Sequence, residues 1–471
     1  MNRLTQVAFA VATLGFGGPA VAQARPKPPS PKPAPAYAFP KVQTQTLPNG
    51  LVVHVIEDHA LPLVAVRAVI EGGSLVDPAG KEGLFTLDTL LLRDGTTRLS
   101  GDALADAISD LGASVAPSGF TTVTDQLERS LAIMGDMLMH PAFPAEALDR
   151  RRTGLLASLQ RSEGQPGTPA NRIWSAVVFG PDHPLGRVAS PTTLASITID
   201  DISRFHAEHV RPQNVTLVMV GDIVPASAMA LAMKVFSGWQ RSGERVVVNA
   251  PPAPAPKPTT IYLFDRPGLS QSTIYLGQAG PGRSAADAYA LEVASFVFGG
   301  QSGSRLWAQL RDRRPLTYGI THVTFWRGAN DPSRILGFSN VDAAKTDSAL
   351  IVWMNELKEL ATGRAPTEQE VAFGRSVTAG NLAARLETFD SIANQLARMT
   401  SDHVGMSYLD GYVRGVYAAT PAEVGRAAAH YFDPAHTAIV IVGDRKRIEA
   451  PLREANIAPV VIVDANGKVL Q

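Results

Sequence analysis

Two pairs of side chains in this sequence have types and spacing that suit chemistry. The first is His206 and His209 in His206-Ala207-Glu208-His209. On a helix, residues three apart share a face, which is formally a metal-ligand spacing. An internal repeat argues against that use, because its second copy carries Ala428 and Tyr431 at these places. The pair therefore reads as packing or a helix end. His54, His59, His140 and His183 stand singly, as hydrogen-bonded or surface histidines usually do. The second pair is Arg311 and Tyr318 in Leu310-Arg311-Asp312-Arg313-Arg314-Pro315-Leu316-Thr317-Tyr318-Gly319. A helix over 304–313 should end at Pro315 and a strand should start at Thr317, so the two side chains face one cleft across a turn. Arginine offers a charged fork of donors to carbonyls or a carboxylate. Tyrosine offers a phenolic donor where oxyanion charge develops. In isolation the same two residues would serve equally well as a helix cap and a core edge. Gly299-Gly300-Gln301-Ser302-Gly303 lacks the Lys-Ser/Thr ending of a phosphate loop and reads as a flexible or helix-start loop.

The elements that must position these residues follow from periodicity. Strands are expected over 43–47 and 51–56 around the hairpin turn Pro48-Asn49-Gly50, with a third over 63–71. An apolar helix framed by Gly83 and Gly95 carries Leu84, Leu87, Leu90 and Leu91, with Thr86, Asp88 and Thr89 set into it. Then come a helix over 101–111, a short strand near Ser114, helices over 127–139, 145–161, 170–179 and 199–209, a strand over 215–220 and a helix over 225–236. Residues 198–222 align without gaps on 420–444, pairing Arg204 with Arg426, Pro212 with Pro434 and Gly221-Asp222 with Gly443-Asp444. A repeat of this length implies duplicated domains rather than a solenoid. The expected fold class is α+β, with two homologous halves, each a mixed or antiparallel sheet with helices on one face, forming a clamshell. The halves span 41–248 and 259–455, joined by a proline-rich linker over 249–258, and 456–471 reads as a C-terminal tail. The second half has a full strand at 334–341 where the first has only 115–131 for the same job, so a strand is trimmed from the first half.

Composition excludes several classes. The 43 basic and 43 acidic residues balance, so no nucleic-acid partner is indicated. The absence of cysteine removes disulfides, thiolate metal sites and cysteine nucleophiles. Residues 1–24 have the layout of a cleavable secretory signal: Arg3, an apolar run over 7–16, and Ala22-Gln23-Ala24. Residues 25–40 form a proline-rich spacer. No later segment is long and apolar enough to span a membrane. The expected location is the periplasm.

The whole chain after the signal resembles the pitrilysin/insulinase family of inverted-motif metallopeptidases. The resemblance rests on the frame at 83–96, then on Leu111-Gly112-Ala113-Ser114, His140-Pro141-Ala142-Phe143, Pro181-Asp182-His183-Pro184-Leu185-Gly186 and Arg211-Pro212-Gln213-Asn214. It continues in Gly303-Ser304-Arg305-Leu306 and Thr317-Tyr318-Gly319. The family's motif H-x-x-E-H has two zinc-binding histidines and a glutamate that activates water. In this frame those positions hold Thr86, Thr89 and Leu90, and the third ligand falls near Ser158. The resemblance thus implies no metal and no cofactor in this chain. It also implies that Arg311 and Tyr318 hold substrate and assist at the scissile carbonyl, as an Arg and a Tyr do in the Arg/Tyr-bearing chain of two-chain bacterial members and of mitochondrial processing peptidase. The partner would be a homologous H-x-x-E-H subunit carrying zinc, and the substrate a peptide. A non-enzymatic scaffold or peptide-holding protein is the alternative.

Overall fold

The computed structural model describes residues 39–470. The expected signal peptide, 1–24, and most of the spacer, 25–40, lie outside them. In the first half, β1 (Gln43–Thr46) and β2 (Val52–Glu57) form the expected hairpin, with Gln43 opposite Val55 and Thr46 opposite Val52. Then follow β3 (Leu63–Ile70), α1 (Leu84–Leu91), α2 (Gly101–Ser109), β4 (Gly119–Val123), α3 (Leu127–Met139), α4 (Ala145–Glu163), α5 (Gly167–Phe179), α6 (Pro191–Ser196), α7 (Ile199–His209), β5 (Val215–Gly221) and α8 (Pro225–Phe236). The sheet order is β1-β2-β5-β3-β4, with β2 parallel to β5 and the other pairs antiparallel.

The second half comprises β6 (Thr260–Asp265), β7 (Gln271–Gly280), α9 (Ala288–Ser295), α10 (Arg305–Trp307), β8 (Thr317–Phe325), β9 (Ser333–Asp342), α11 (Thr346–Lys358), α12 (Glu368–Ala384), α13 (Phe389–Ser401), α14 (Tyr408–Ala418), α15 (Pro421–Tyr431), β10 (Ala438–Gly443), α16 (Arg445–Glu454) and β11 (Val460–Val463). Its sheet runs β11-β6-β10-β7-β9-β8. The repeat is visible in both halves. Helices α7 and α15 open on reciprocal capping boxes, Thr198 with Asp201 and Thr420 with Glu423. Strands β5 and β10 each lie between a parallel and an antiparallel neighbour. Edge strand β8 has no counterpart in the first sheet, which ends at β4.

Three expectations change. Ser114 lies in a loop, and the strand expected there forms five residues later. Ala116 and Gly119 exchange backbone hydrogen bonds of 3.2 and 3.0 Å, closing a tight turn before β4. Gly119 sits at φ +144° with the Val66 carbonyl oxygen 2.3 Å from where a Cβ would stand, so the strand can only start at a glycine. The stretch read as a tail supplies β11, whose Val-Val-Ile-Val run pairs parallel with β6 and is largely buried.

The third change concerns what covers the sheets. Each packs its own helices on one face, but neither is bare on the other. In β5, Leu217 and Met219 join the core of α3 and α8, whereas Val218 and Val220 join the cluster that contains Ile392, Leu396 and Met399 of α13, a helix of the second half. In β10, Ile439 and Ile441 face the second half's own helices, whereas Val440 and Val442 pack with Ile173, Trp174 and Val177 of α5, a helix of the first half. Helices α5 and α13 start at the 222-residue offset of the repeat, so each half lends the same helix to the other. Arg67 of β3 and Thr121 of β4 bind Asp390 at the start of α13, the latter at 3.0 Å. That half-exposed ion pair is worth at most about 1 kcal/mol. Each large apolar side chain buried on α13 is worth about 1.5–3 kcal/mol, so packing dominates the exchange.

Candidate functional site

Helix α1 is held by its start. Gly83 caps it at φ +101°, and the Asp77 carboxylate accepts the backbone amides of Gly83 and Phe85 at 2.9 and 2.8 Å. Burial still pushes the Asp77 carboxyl above the usual range. Among the positions matching the inverted motif, Thr86 is exposed, Thr89 donates its hydroxyl to the Phe85 carbonyl at 2.9 Å, and Leu90 has no donor atom. Ser158 is exposed on α4. These side chains do not fit zinc, which takes imidazole, carboxylate or thiolate. Among the described residues no group of three or more His, Cys, Asp or Glu is placed to hold a metal ion.

The remaining polar residue of α1, Asp88, points into the core. Its Oδ1 lies 3.0 Å from His206 Nδ1, and His206 Nε2 lies 2.9 Å from the Leu138 carbonyl oxygen of α3. His206 is therefore a buried bridge between α1, α7 and α3, while His209 packs against Phe205. Burial raises the Asp88 carboxyl, opposed by the hydrogen bond from His206. The sequence contains both residues but gives no sign of their pairing across 118 positions.

Arg311 and Tyr318 do come together. After α10 the helix widens into π turns over Ala308–Arg313, and the Arg311 guanidinium lies between two rings, 4.4 Å from the Trp307 centroid and 4.6 Å from that of Tyr318. Between Thr317 and Ile320 the pairing of β8 with β9 shifts register. Gly319 N donates to Thr317 Oγ1 at 3.1 Å and Ser339 Oγ donates to the Gly319 carbonyl at 2.9 Å, fixing this bulge. Tyr318 is left 87% exposed. Among the described residues, no hydrogen-bond partner of the Arg311 guanidinium or the Tyr318 hydroxyl occurs. The helix is anchored instead by buried Arg305, which forks onto Glu370 at 2.7 and 3.0 Å and holds that carboxyl down at about 2 against the pull of burial.

Between the halves lies a cavity of about 650 Å³. One wall comes from residues around α1, including Asp77, Glu82 and Thr86, and the other from the second sheet, including Arg327 and Arg334. A hollow of about 600 Å³ adjoins it along the same sheet face, sharing Tyr275 and Phe338 and reaching Gly319 beside the bulge. Thus Thr86 lines the chamber, whereas Arg311 and Tyr318 line neither it nor the adjoining hollow. The arginines of the chamber wall were not singled out by sequence, since only the hairpin β8–β9 brings Arg327 and Arg334 together.

Residues 196–377 match the family model described as the peptidase M16 inactive domain. The chain is 24% identical over 424 residues to an uncharacterized zinc protease of Mycobacterium leprae, covering 84% of this chain and 90% of that one. It is 23% identical to one of Streptomyces coelicolor, covering 87% and 91%. These matches support a pitrilysin-like, M16 peptidase relationship, with the inactive-domain model matched over residues 196–377. Another relative is mitochondrial cytochrome b-c1 complex subunit 1 of Caenorhabditis elegans, 24% identical over 74% of this chain and 77% of that one. A crystal structure described as the peptidase M16 inactive domain from Pseudomonas fluorescens shares the fold, with a TM-score of 0.76, 24% identity and coverage of 86% and 98%. That of a protease from Helicobacter pylori has a TM-score of 0.75 at 19% identity, covering 86% and 100%. Among the described residues no helix is long and apolar enough to cross a membrane.

Proposed function

We propose that this chain is the zinc-free, substrate-binding subunit of a heteromeric periplasmic zinc metalloendopeptidase acting on peptides. Its partner is a homologous subunit carrying H-x-x-E-H and the zinc that activates water. The observation that carries this reading is the Arg311–Tyr318 stack, preformed, with Tyr318 turned outward and no hydrogen-bond partner of either side chain among the described residues. A capping arginine would spend its donors on helix carbonyls; this one keeps them. A site of this kind is completed by a second chain. The peptide adds as a strand along the free edge of β8, where main-chain hydrogen bonds tolerate many sequences. Arg311 then holds a peptide carbonyl, and the Tyr318 hydroxyl donates to the oxygen on which charge develops.

The test is coexpression with an H-x-x-E-H partner, followed by peptidase assays. Arg311→Ala and Tyr318→Phe are each expected to lower kcat by about 10²-fold or more, as loss of an oxyanion donor does, with unchanged thermal stability. Full activity in both variants, or no complex, overturns the proposal. The second reading, a non-enzymatic scaffold, is favoured by the likeness to the cytochrome b-c1 complex subunit. It expects a complex without peptidase activity that both variants leave intact.

A further inference from the structure

The chamber wall holds two guanidiniums whose situation the proposed function does not explain. Arg327, in the β8–β9 turn, and Arg334, on β9, both line the cavity. The Nε of each is buried and lacks a hydrogen-bond partner among the described residues. Arg334 gives one amino group to Asn171 of α5 and rests 4.9 Å from the Trp174 ring centroid. Among the described residues the Arg327 guanidinium makes no hydrogen bond and neither arginine has a carboxylate within ion-pair distance. Burial pulls both below the ordinary arginine value, and Arg327 pulls Arg334 down further. An arginine stays charged regardless, so the cost falls on the stability of the chain.

The carboxylates nearby relieve that cost only in part, since Asp331 and Asp402 attract the Arg327 guanidinium without an ion pair to it among the described residues. Asp77 is committed to the amides of Gly83 and Phe85, and Glu82 accepts from Gly80 and faces Arg187 at 3.6 Å. Asp331 accepts the Ala250 amide. Asp402 lies in the smaller adjoining hollow with Arg327, with its carboxyl pushed up to about 6 by burial. The cavity therefore presents a pair of forked donors without ion-pair partners among the described residues, beside an apolar wall of Trp326, Leu336 and Phe338.

We propose that this cavity takes a carboxylate-bearing group of a bound peptide, seated between Arg327 and Arg334. The inference rests on the peptide-holding reading above and names the substrate class: peptides with an acidic side chain, or with a free C-terminal carboxylate, flanked by apolar residues. Both sources share the planar two-oxygen chemistry that an arginine fork matches.

The test is fluorescence anisotropy of the full chain after the expected cleavage site with four labelled nine-residue peptides of one apolar sequence. These are neutral and amidated, amidated with one internal Glu, amidated with one internal Lys, and neutral with a free C-terminal carboxylate. The Glu peptide, the free-carboxylate peptide or both should bind at least about tenfold tighter than the neutral and Lys peptides, and which of them does so identifies the source. In Arg327→Gln/Arg334→Gln this advantage should shrink to within about twofold while neutral binding is unchanged, and Arg327→Lys/Arg334→Lys should keep part of it. The glutamine variant should also unfold at a higher temperature than the parent, because two unpaired buried charges are gone. Equal binding of all four peptides overturns this inference and leaves the peptide-holding reading standing. Equal weakening of all four in the glutamine variant overturns it as well. Binding of none of them overturns both.

Discussion

The two halves carry the same letters at many repeat positions and use them differently. Gly221 and Gly443 close equivalent strands. At Gly221, φ is +132° and an added Cβ would stand 2.1 Å from the Leu63 carbonyl oxygen. At Gly443 it would meet only side chains, Ser272 Oγ at 2.7 Å and Ile448 Cδ1 at 2.9 Å. By strand register, His54 in the first half stands where Tyr262 stands in the second, opposite Val218 and Val440 respectively. The Asp88–His206 bridge belongs to the first half, since the repeat puts Ala428 at the histidine's place. Duplication thus copied the scaffold, whereas close backbone approaches, buried polar pairs and exposed chemistry diverged.

The largest break in this comparison should come where the halves are still alike. Trp174 of α5 and Leu396 of α13 occupy equivalent repeat positions, and both are fully buried. Trp174→Asp and Leu396→Asp should each cost about 4 kcal/mol or more, by loss of packing and burial of a charge. Urea unfolding should keep a single transition in both, because each helix serves both halves; a separate unfolding step for one half would break the symmetry. Next, Gly221→Ala should cost about 2–4 kcal/mol and Gly443→Ala about 1 kcal/mol or less, measured by the same unfolding curves. Equal costs would show that the two strand ends are interchangeable. Asp88→Ala should cost about 2–3 kcal/mol, by leaving His206 without its partner. The double change Asp88→Leu/His206→Phe should recover part of it.

The smallest effect concerns acid. Burial and the charge of Arg245 hold His54 down at about 4. The unfolded chain takes up this proton near pH 6.5, so the folded state loses stability as pH falls from about 6.5 toward 4 and loses none above it. At pH 5.5 the loss is about 1 kcal/mol for one such group. The thermal stability of His54→Asn should be less sensitive to pH across this window than that of the parent chain. Tyr262, whose hydroxyl burial pushes upward, contributes nothing there.

What the sequence disclosed follows the same division. Helices α7 and α15 and strands β5 and β10 were legible because caps, periodicity and the gapless repeat act over a few residues. The run Val215–Gly221 announces a strand buried on both faces, yet it cannot say that the second cover comes from α13, because that depends on side chains more than 170 residues away. The start of β4 was missed because a turn closed by Gly119 outweighs the strand propensity near Ser114. Arg311 and Tyr318 were legible as neighbours because one turn joins them. Arg327 and Arg334 were not, because their meaning depends on Asn171, Trp174 and α1 across the cavity.

The crossed helices have a further consequence. A half on its own would have one sheet face open to water and one apolar helix with nowhere to sit. Two halves meet both needs at once, each seating the helix the other extends. In assembly terms this chain is a helix-swapped homodimer fused into one polypeptide. Cutting the linker at 249–258 should therefore yield two pieces that stay folded together as a pair, while either piece made alone should aggregate.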